Sequence, residues 1–385
     1  MNLLLICKNN LLAASELYRF SRIPFRERKF VFYSEGGGYW SHFEPIYRTL
    51  LKKYGNSVIY VTSSIDDQNY KNPPPGLKSF FIGEGTVRTI FFMTLNVYVL
   101  VMTMPDMNTF HIKRSPFSVK YVYIQHSLVS THMVYRPQAF DNFDIIFCAG
   151  PHHKIEIEAR ERMKKLKPKH LVQHGYGRLD KIISRAKKLH PNLKKTKEKC
   201  VLVAPSWGTN GLLEVHGFTL IDNLLKNGFR TIVRPHPITF LKNPKLFKKL
   251  DKSFGKNPNY SLDLNLDSIN TLFLADLMIS DWSGAAIEFS FGLQKPVIFV
   301  DTPKKINNPK YYEIKINPLE VVLREKIGIV IPLEKLGIID SYVSSILKNP
   351  EIFSKNIVEE REKWVFNVSK SGEVAADFLN SLIEQ

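Results

Sequence analysis

Residues Thr231–Thr239 read TIVRPHPIT. A short apolar run, entered from Phe229, meets two prolines that enclose one histidine. Proline lacks a backbone N–H and has a fixed φ, so a strand cannot run through this stretch. The strand must end close to Arg234, with His236 held stiffly past its carboxyl end. The same event recurs along the chain. VKYVYIQHS (119–127), CVLVAPSWG (200–208) and DLMISDWSG (276–284) each carry an apolar run into a short polar turn. Between such runs lie helical stretches closed by glycine, such as HFEPIYRTLLKKYG (42–55), FTLIDNLLKNG (218–228) and AAIEFSFG (285–292). Strands alternating with helices predict parallel α/β sheets. In such sheets ligands bind outside the carboxyl ends of the strands, where these four polar motifs fall.

The pattern runs twice. A first series begins with KFVFYSEGGGYW (29–40), and a second begins at Cys200 after a basic, coil-like stretch. The predicted fold class is therefore α/β, with two Rossmann-like parallel-sheet domains facing a cleft. The expected boundaries are an N-terminal basic amphipathic segment (1–29), a first domain (30–186), a basic linker (187–199), a second domain (200–349) and a C-terminal helical tail (350–385).

Composition narrows the class. The chain has 385 residues, 44% hydrophobic and 23% charged, an ordinary globular balance with ample core material. Cys7, Cys148 and Cys200 are far apart and odd in number, which reads as a reduced, intracellular protein. The net charge of +18 and pI of about 9.6 favour an anionic partner. Residues 151–199 alone hold sixteen Lys/Arg against five Asp/Glu. That segment reads either as a solvated helix face with a linker or as an anionic-surface contact. The most apolar run, TIFFMTLNVYVLVMTMP (89–105), is shorter than the ~20 residues of a spanning helix and is interrupted by Asn96. It reads as a buried helix end followed by a buried strand, in a soluble or peripheral protein. The first thirty residues interleave apolar groups with Arg19, Arg22, Arg26, Arg28 and Lys29. They suit a helix packed on its own domain or one lying on a bilayer.

Four motifs offer chemistry. In SDWSGAAIEF (280–289) a strand ends and a helix starts near Gly284. The free N–H groups of a helix start attract anions. Ser283 and Gly284 allow a phosphate close approach, and Glu288, one turn on, can accept from ribose hydroxyls. The plain alternative is that Asp281 or Ser283 only caps the helix. In RPHP, His236 can donate to a phosphate or move a proton, and Arg234 can pair with a phosphate or a structural carboxylate. In IQHS, His126 can act as a general base or bond within its own domain, while His132 reads as supporting. In HGYGRLDKI (174–182), Arg178 and Asp180 read as a structural pair. Gly37 and Gly38 leave room for a substrate but lack the dinucleotide fingerprint. DLNLD (263–267) is only superficially an ion loop, and no metal set is expected.

The ordered series IQHS, GYGRLD, VLVAPSWG, RPHP and ISDWSGAAIEF resembles the CDP-glycerol glycerophosphotransferases, which build teichoic-acid-type and capsular phosphopolymers. It spans roughly 119–300 and continues into SKSGEVAADFL near the end. The resemblance implies a two-domain GT-B architecture, with an acceptor-side first domain and a nucleotide-donor second domain. It also implies a cytoplasmic protein peripheral at the inner face of the cell membrane. His126 matches the family's first-domain histidine, proposed as base. His236 matches its second-domain histidine beside the donor diphosphate. Ser280, Asp281, Ser283 and Glu288 match the donor-binding segment. This chain has Gln125-His126-Ser127 where the family usually reads Trp-His-Gly, Gly284 in place of the loop's second serine, and Glu288 where Asp is common.

The expected function is transfer of a glycerol-phosphate or related polyol-phosphate unit from a CDP-alcohol to an acceptor hydroxyl. His126 and His236 are the expected catalytic groups. Arg234, Ser206, Ser280, Asp281, Ser283, Gly284 and Glu288 are expected on the donor. Gly37, Gly38, Gln125, Ser127 and Arg178 are candidates on the acceptor side. No tightly bound cofactor is expected. The expected partners are the nucleotide donor, an anionic or lipid-linked acceptor and an anionic membrane surface, with no nucleic acid. Two rivals are a GT-B glycosyltransferase using a nucleotide sugar and a non-catalytic basic protein; the latter accounts for the charge alone.

Overall fold

The computed structural model describes residues 3–109, 112–189, 198–265 and 269–384. Most of the expected 187–199 linker lies outside these residues, as does part of DLNLD. The chain forms two compact units. One comprises the residues up to His126, Tyr135–Asp180 and Val365–Gln385; the other comprises Ser127–Val134 and Lys181–Trp364.

The first unit holds a seven-stranded parallel sheet. Its strands are β1 (Phe30–Ser34), β2 (Val58–Thr62), β3 (Leu77–Phe81), β4 (Val99–Met102), β5 (Lys120–Ile124), β6 (Ile145–Cys148) and β7 (His170–Gln173), in the order β3-β2-β1-β4-β5-β6-β7. Successive side chains leave a strand on opposite faces, so the fully apolar strands serve two cores. Val31, Tyr33, Leu100 and Met102 join one cluster, while Phe30, Phe32, Val99 and Val101 join the other. Sheets covered on both faces are typical of parallel α/β architecture.

The second unit holds a six-stranded parallel sheet. Its strands are β8 (Cys200–Val203), β9 (Arg230–Val233), β10 (Tyr260–Leu262), β11 (Leu277–Ser280), β12 (Val297–Val300) and β13 (Gly328–Ile331), in the order β10-β9-β8-β11-β12-β13. Both sheets therefore reverse direction of growth once, between β1 and β4 and between β8 and β11. These are the topological switch points where such sheets bind ligands.

Three segments are assigned to the units as follows. The N-terminal helix Leu3–Ser21 is part of the first unit, with Ala13, Glu16 and Phe20 buried and Phe20 edge-on to Phe80 and Phe91. The tail is not one element. Helix Ser354–Trp364 belongs to the second unit, where the Arg361 guanidinium donates to the Phe291 carbonyl, and helix Ser371–Ser381 belongs to the first. There it packs against helix Trp40–Tyr54 so closely that a Cβ on Gly372 would stand 2.6 Å from Pro45. Finally, residues 127–134 join the second unit. Glu320 accepts from both the Ser130 N–H and hydroxyl at 2.8 Å, and the Asn308 side chain donates to the His132 carbonyl at 2.9 Å. Among the described residues no helix is long and apolar enough to cross a membrane.

Candidate functional site

In the second unit the two prolines of RPHP do separate jobs. Pro235 ends β9, and Pro237 opens a short helix, Pro237–Lys242, at the position that tolerates a missing N–H. His236 is left as its N-cap, and its Nδ1 accepts the Ile238 N–H at 3.2 Å. With Nδ1 an acceptor, the ring proton resides on Nε2, which is therefore a donor. Burial, followed by the charge of Lys305, lowers the His236 pKa to about 3, so the ring is neutral at pH 7. A neutral N–H donor is what the prolines hold in place.

The switch point lies beside it. Asp281, directly after β11, accepts the Ser206 N–H at 2.6 Å and so ties the turn after β8 to the turn after β11. Ser283 caps helix Gly284–Leu293, its Oγ accepting the Ala285 N–H at 3.3 Å. The plain capping alternative is thus realised, and the helix start is built at the ligand end of the sheet. Trp282 is buried and held in place: its Nε1 donates to the Thr302 carbonyl, and the Arg324 guanidinium lies 3.9 Å from its ring centroid.

Several expected donor residues turn inward. The Ser280 hydroxyl is fully buried and donates to the Ala204 carbonyl at 2.8 Å, so it supports the loop instead of facing a ligand. Arg234 takes the structural option, donating to Thr271 Oγ1 at 3.0 Å and pairing with Asp263 at 3.6 Å. Glu288 is also buried. Ser127, expected on the acceptor side, lies instead in the second unit against Gly284. A Cβ on Gly284 would stand 2.5 Å from Ser127 Oγ and 3.4 Å from Val129. Gly284→Ala is accordingly expected to turn the Ser127 hydroxyl aside and to destabilise the fold by no more than about 1 kcal/mol. Adding Ser127→Gly should restore much of the loss in a denaturant titration, because the two positions share one contact.

Sequence reasoning missed three residues here. Trp207, just past β8, carries two ammonium groups near its ring, with Lys305 Nζ 4.4 Å and Lys242 Nζ 4.7 Å from the centroid. The Trp207 and His236 rings are 6.2 Å apart. Burial lowers the Lys305 pKa to about 8, against the opposing pull of Asp281 and Glu214. The signal in the sequence was the Trp at a strand end; the lysines looked like ordinary surface charge.

In the first unit His126 stands two residues beyond β5. Its Nδ1 lies 3.0 Å from Tyr123 Oη and its Nε2 3.4 Å from Tyr135 Oη. Its carbonyl accepts from Tyr176 Oη at 2.9 Å, and Tyr39 meets its ring edge-on. Burial holds the Tyr123 phenol well above its usual pKa and lifts that of Tyr39 to about 12, so both remain neutral hydroxyls. His42, buried nearby, is held well below its usual pKa, first by desolvation and then by Arg178. Arg178 Nη1 lies 3.5 Å from Ser41 Oγ. Its expected partner Asp180 instead accepts from the Ser369 N–H and from Ser371, holding the start of the last helix. Gly37 and Gly38 form a 3-10 turn with Tyr39 past β1. Gln125 is buried, and neither side-chain polar atom has a hydrogen-bond partner among the described residues. His132 is a supporting residue of the second unit, bonded to the Ile316 carbonyl at 3.0 Å. Among the described residues no group of three His, Cys, Asp or Glu side chains is arranged to hold a metal ion.

The family model described as CDP-Glycerol:Poly(glycerophosphate) glycerophosphotransferase matches residues 17–306. No curated protein matches the chain. Among solved structures, the wall teichoic acid polymerase TagF is similar with a TM-score of 0.63 at 13% identity, covering 99% of this chain and 96% of its own. The UDP-GlcNAc 2-epimerase from Neisseria meningitidis, bound to UDP-GlcNAc, gives 0.60 at 14% identity over 92% and 99%. Anabaena Alr3699/HepE, in complex with UDP and glucose, gives 0.54 at 10% identity over 92% and 100%. These likenesses establish the GT-B-type pair of parallel-sheet units.

Proposed function

We propose, from the premise that the chain belongs to the CDP-glycerol:poly(glycerophosphate) glycerophosphotransferase family, that it transfers a polyol-phosphate unit from a CDP-alcohol to an acceptor hydroxyl. The observation that carries this reading is His236, a neutral Nε2–H donor fixed by its own N-cap bond at the ligand end of the second sheet. At the same end of the sheet, past β11, are the amides of the Ser283-capped helix. Donors fixed in advance need no reorganisation as charge develops on a leaving phosphate. The second unit holds the donor nucleotide. Ser206, Asp281 and Ser283 shape its seat, and Arg234 stiffens β9's end through Asp263 instead of touching phosphate.

The acceptor oxygen forms a bond to the polyol-bearing phosphorus, the P–O bond to CMP breaks, and CMP leaves with the electron pair. The acceptor proton goes to His126. Tyr135 Oη sits 3.4 Å from His126 Nε2, a long contact that an acceptor hydroxyl can displace, while Tyr123 steadies Nδ1. Gly37, Gly38, Gln125 and Arg178 are the acceptor-side candidates. A polymer of the teichoic-acid or capsular kind is the product class this reading favours. Product analysis separates it from nucleotide-sugar transfer: a new phosphodiester supports the proposal and a new glycosidic bond rejects it.

The reading includes contact with an anionic membrane. On the first unit Leu11 and Tyr18 are exposed one helical face apart from the buried residues, and exposed Phe25 stacks on Tyr98 at 4.5 Å. Arg22 and Arg26 flank them, an apolar and cationic mixture that suits a bilayer surface. The protein should float with phosphatidylglycerol vesicles in a density gradient and be partly released by salt. Retention at the bottom of the gradient at low salt would refute the membrane contact.

A further inference from the structure

Lys305 lies in the loop that follows β12, and Trp207 and His236 follow β8 and β9. All three thus belong to the ligand-binding end of one sheet. The Lys305 ammonium is half-buried on the Trp207 ring, with Lys242 on the same ring. Among the described residues no carboxylate comes within ion-pair distance of Lys305 Nζ; Asp281 and Glu214 act on it only from further away. A partly desolvated cation without a close counter-charge is costly, and an anionic ligand relieves that cost.

We propose that Lys305, braced with Lys242 on the Trp207 ring, is the cationic seat for the diphosphate of the nucleotide donor. This rests on the donor reading of the second unit and adds residues to it. The geometry also explains the division of labour. His236 supplies a fixed neutral donor, and Lys305 supplies the full charge that a leaving phosphate requires. Among the described residues, Asp281 and Glu214 act on Lys305, Lys305 acts on His236, and Lys242 shares the Trp207 ring with it. Its pKa of about 8 in the free protein gives the proposal a pH signature. The ammonium is present below that pH and is lost above it, whereas a bound diphosphate favours the charged form. Diphosphate affinity should therefore fall as pH rises through 8, with proton uptake on binding in that range.

The test is calorimetric titration of the wild-type chain, Lys305→Gln and Lys305→Arg with CDP, cytidine and inorganic pyrophosphate. Loss of one charged contact should weaken CDP and pyrophosphate by about 10- to 100-fold in Lys305→Gln. Cytidine binding should be unchanged, and Lys305→Arg should recover most of the affinity and flatten its decline above pH 8. Equal CDP and pyrophosphate affinity in wild type and Lys305→Gln overturns the seat and leaves the donor reading standing. Pyrophosphate binding that depends on Lys305 without any cytidine-nucleotide binding keeps the seat and removes the CDP reading. Binding of neither overturns both. If Lys305→Gln does not fold, a wild-type CDP affinity that stays level from pH 7 to 9.5 is the contrary result.

Discussion

His126→Ala should lower kcat by about 10²–10⁴-fold, the usual contribution of a positioned general base, while donor affinity stays near the wild-type value. The separation follows from where the residue stands. His126 belongs to the first unit, with its ring nitrogens on Tyr123 and Tyr135, and the donor motifs belong to the second. Tyr123→Phe should produce a smaller fall in kcat, because the phenol orients Nδ1 and takes no proton from the acceptor. Steady-state assays of both variants should show the loss in kcat with the donor KM near the wild-type value. Unchanged turnover in His126→Ala removes the base assignment outright.

His236→Ala should weaken donor binding by about 10- to 100-fold, the cost of losing a hydrogen bond to a charged group. Two effects are mixed in this variant, since His236 also caps helix Pro237–Lys242. Loss of the cap costs about 1 kcal/mol of stability. His236→Asn separates them: asparagine caps well but does not place a donor where Nε2 stands. It should melt close to the wild type and still bind the donor weakly. Wild-type affinity in both variants would show that the diphosphate lies elsewhere.

Both sheets were legible in the sequence wherever strands are buried on both faces. Apolar runs such as FVFYS, VLVM and CVLV announce β1, β4 and β8, and the polar turns after them mark the ligand ends. The strand signals of β3, β10 and β13, all at sheet edges, are weaker. An edge strand needs only partial burial. Lys78 and Ser79 interrupt β3, and β10 is three residues long, so neither carries a strong apolar signal.

At the site, the stiff RPHP turn and the SDWSG loop were readable because proline and small residues constrain the backbone wherever they occur. What each side chain touches was not. Ser280 and Arg234 look like phosphate ligands in one dimension, and only packing turns them toward Ala204 and Asp263. Residues 127–134 belong to the second unit, where Glu320, nearly two hundred positions away, accepts from Ser130. Lys305 in TPKKINN is no different on paper from Lys304; the fold alone sets it against Trp207. The departure from serine at Gly284 gains a physical reason in the same way, since Ser127 occupies the space.

The donor reading requires that the second unit bind a CDP-linked nucleotide. Calorimetric titration of the purified chain with CDP-glycerol, CMP, UDP and UDP-GlcNAc tests it without any acceptor. Selective binding of the cytidine nucleotides, weakened in His236→Asn, is the predicted result. Preference for uridine nucleotides, or no nucleotide binding at all, would contradict it.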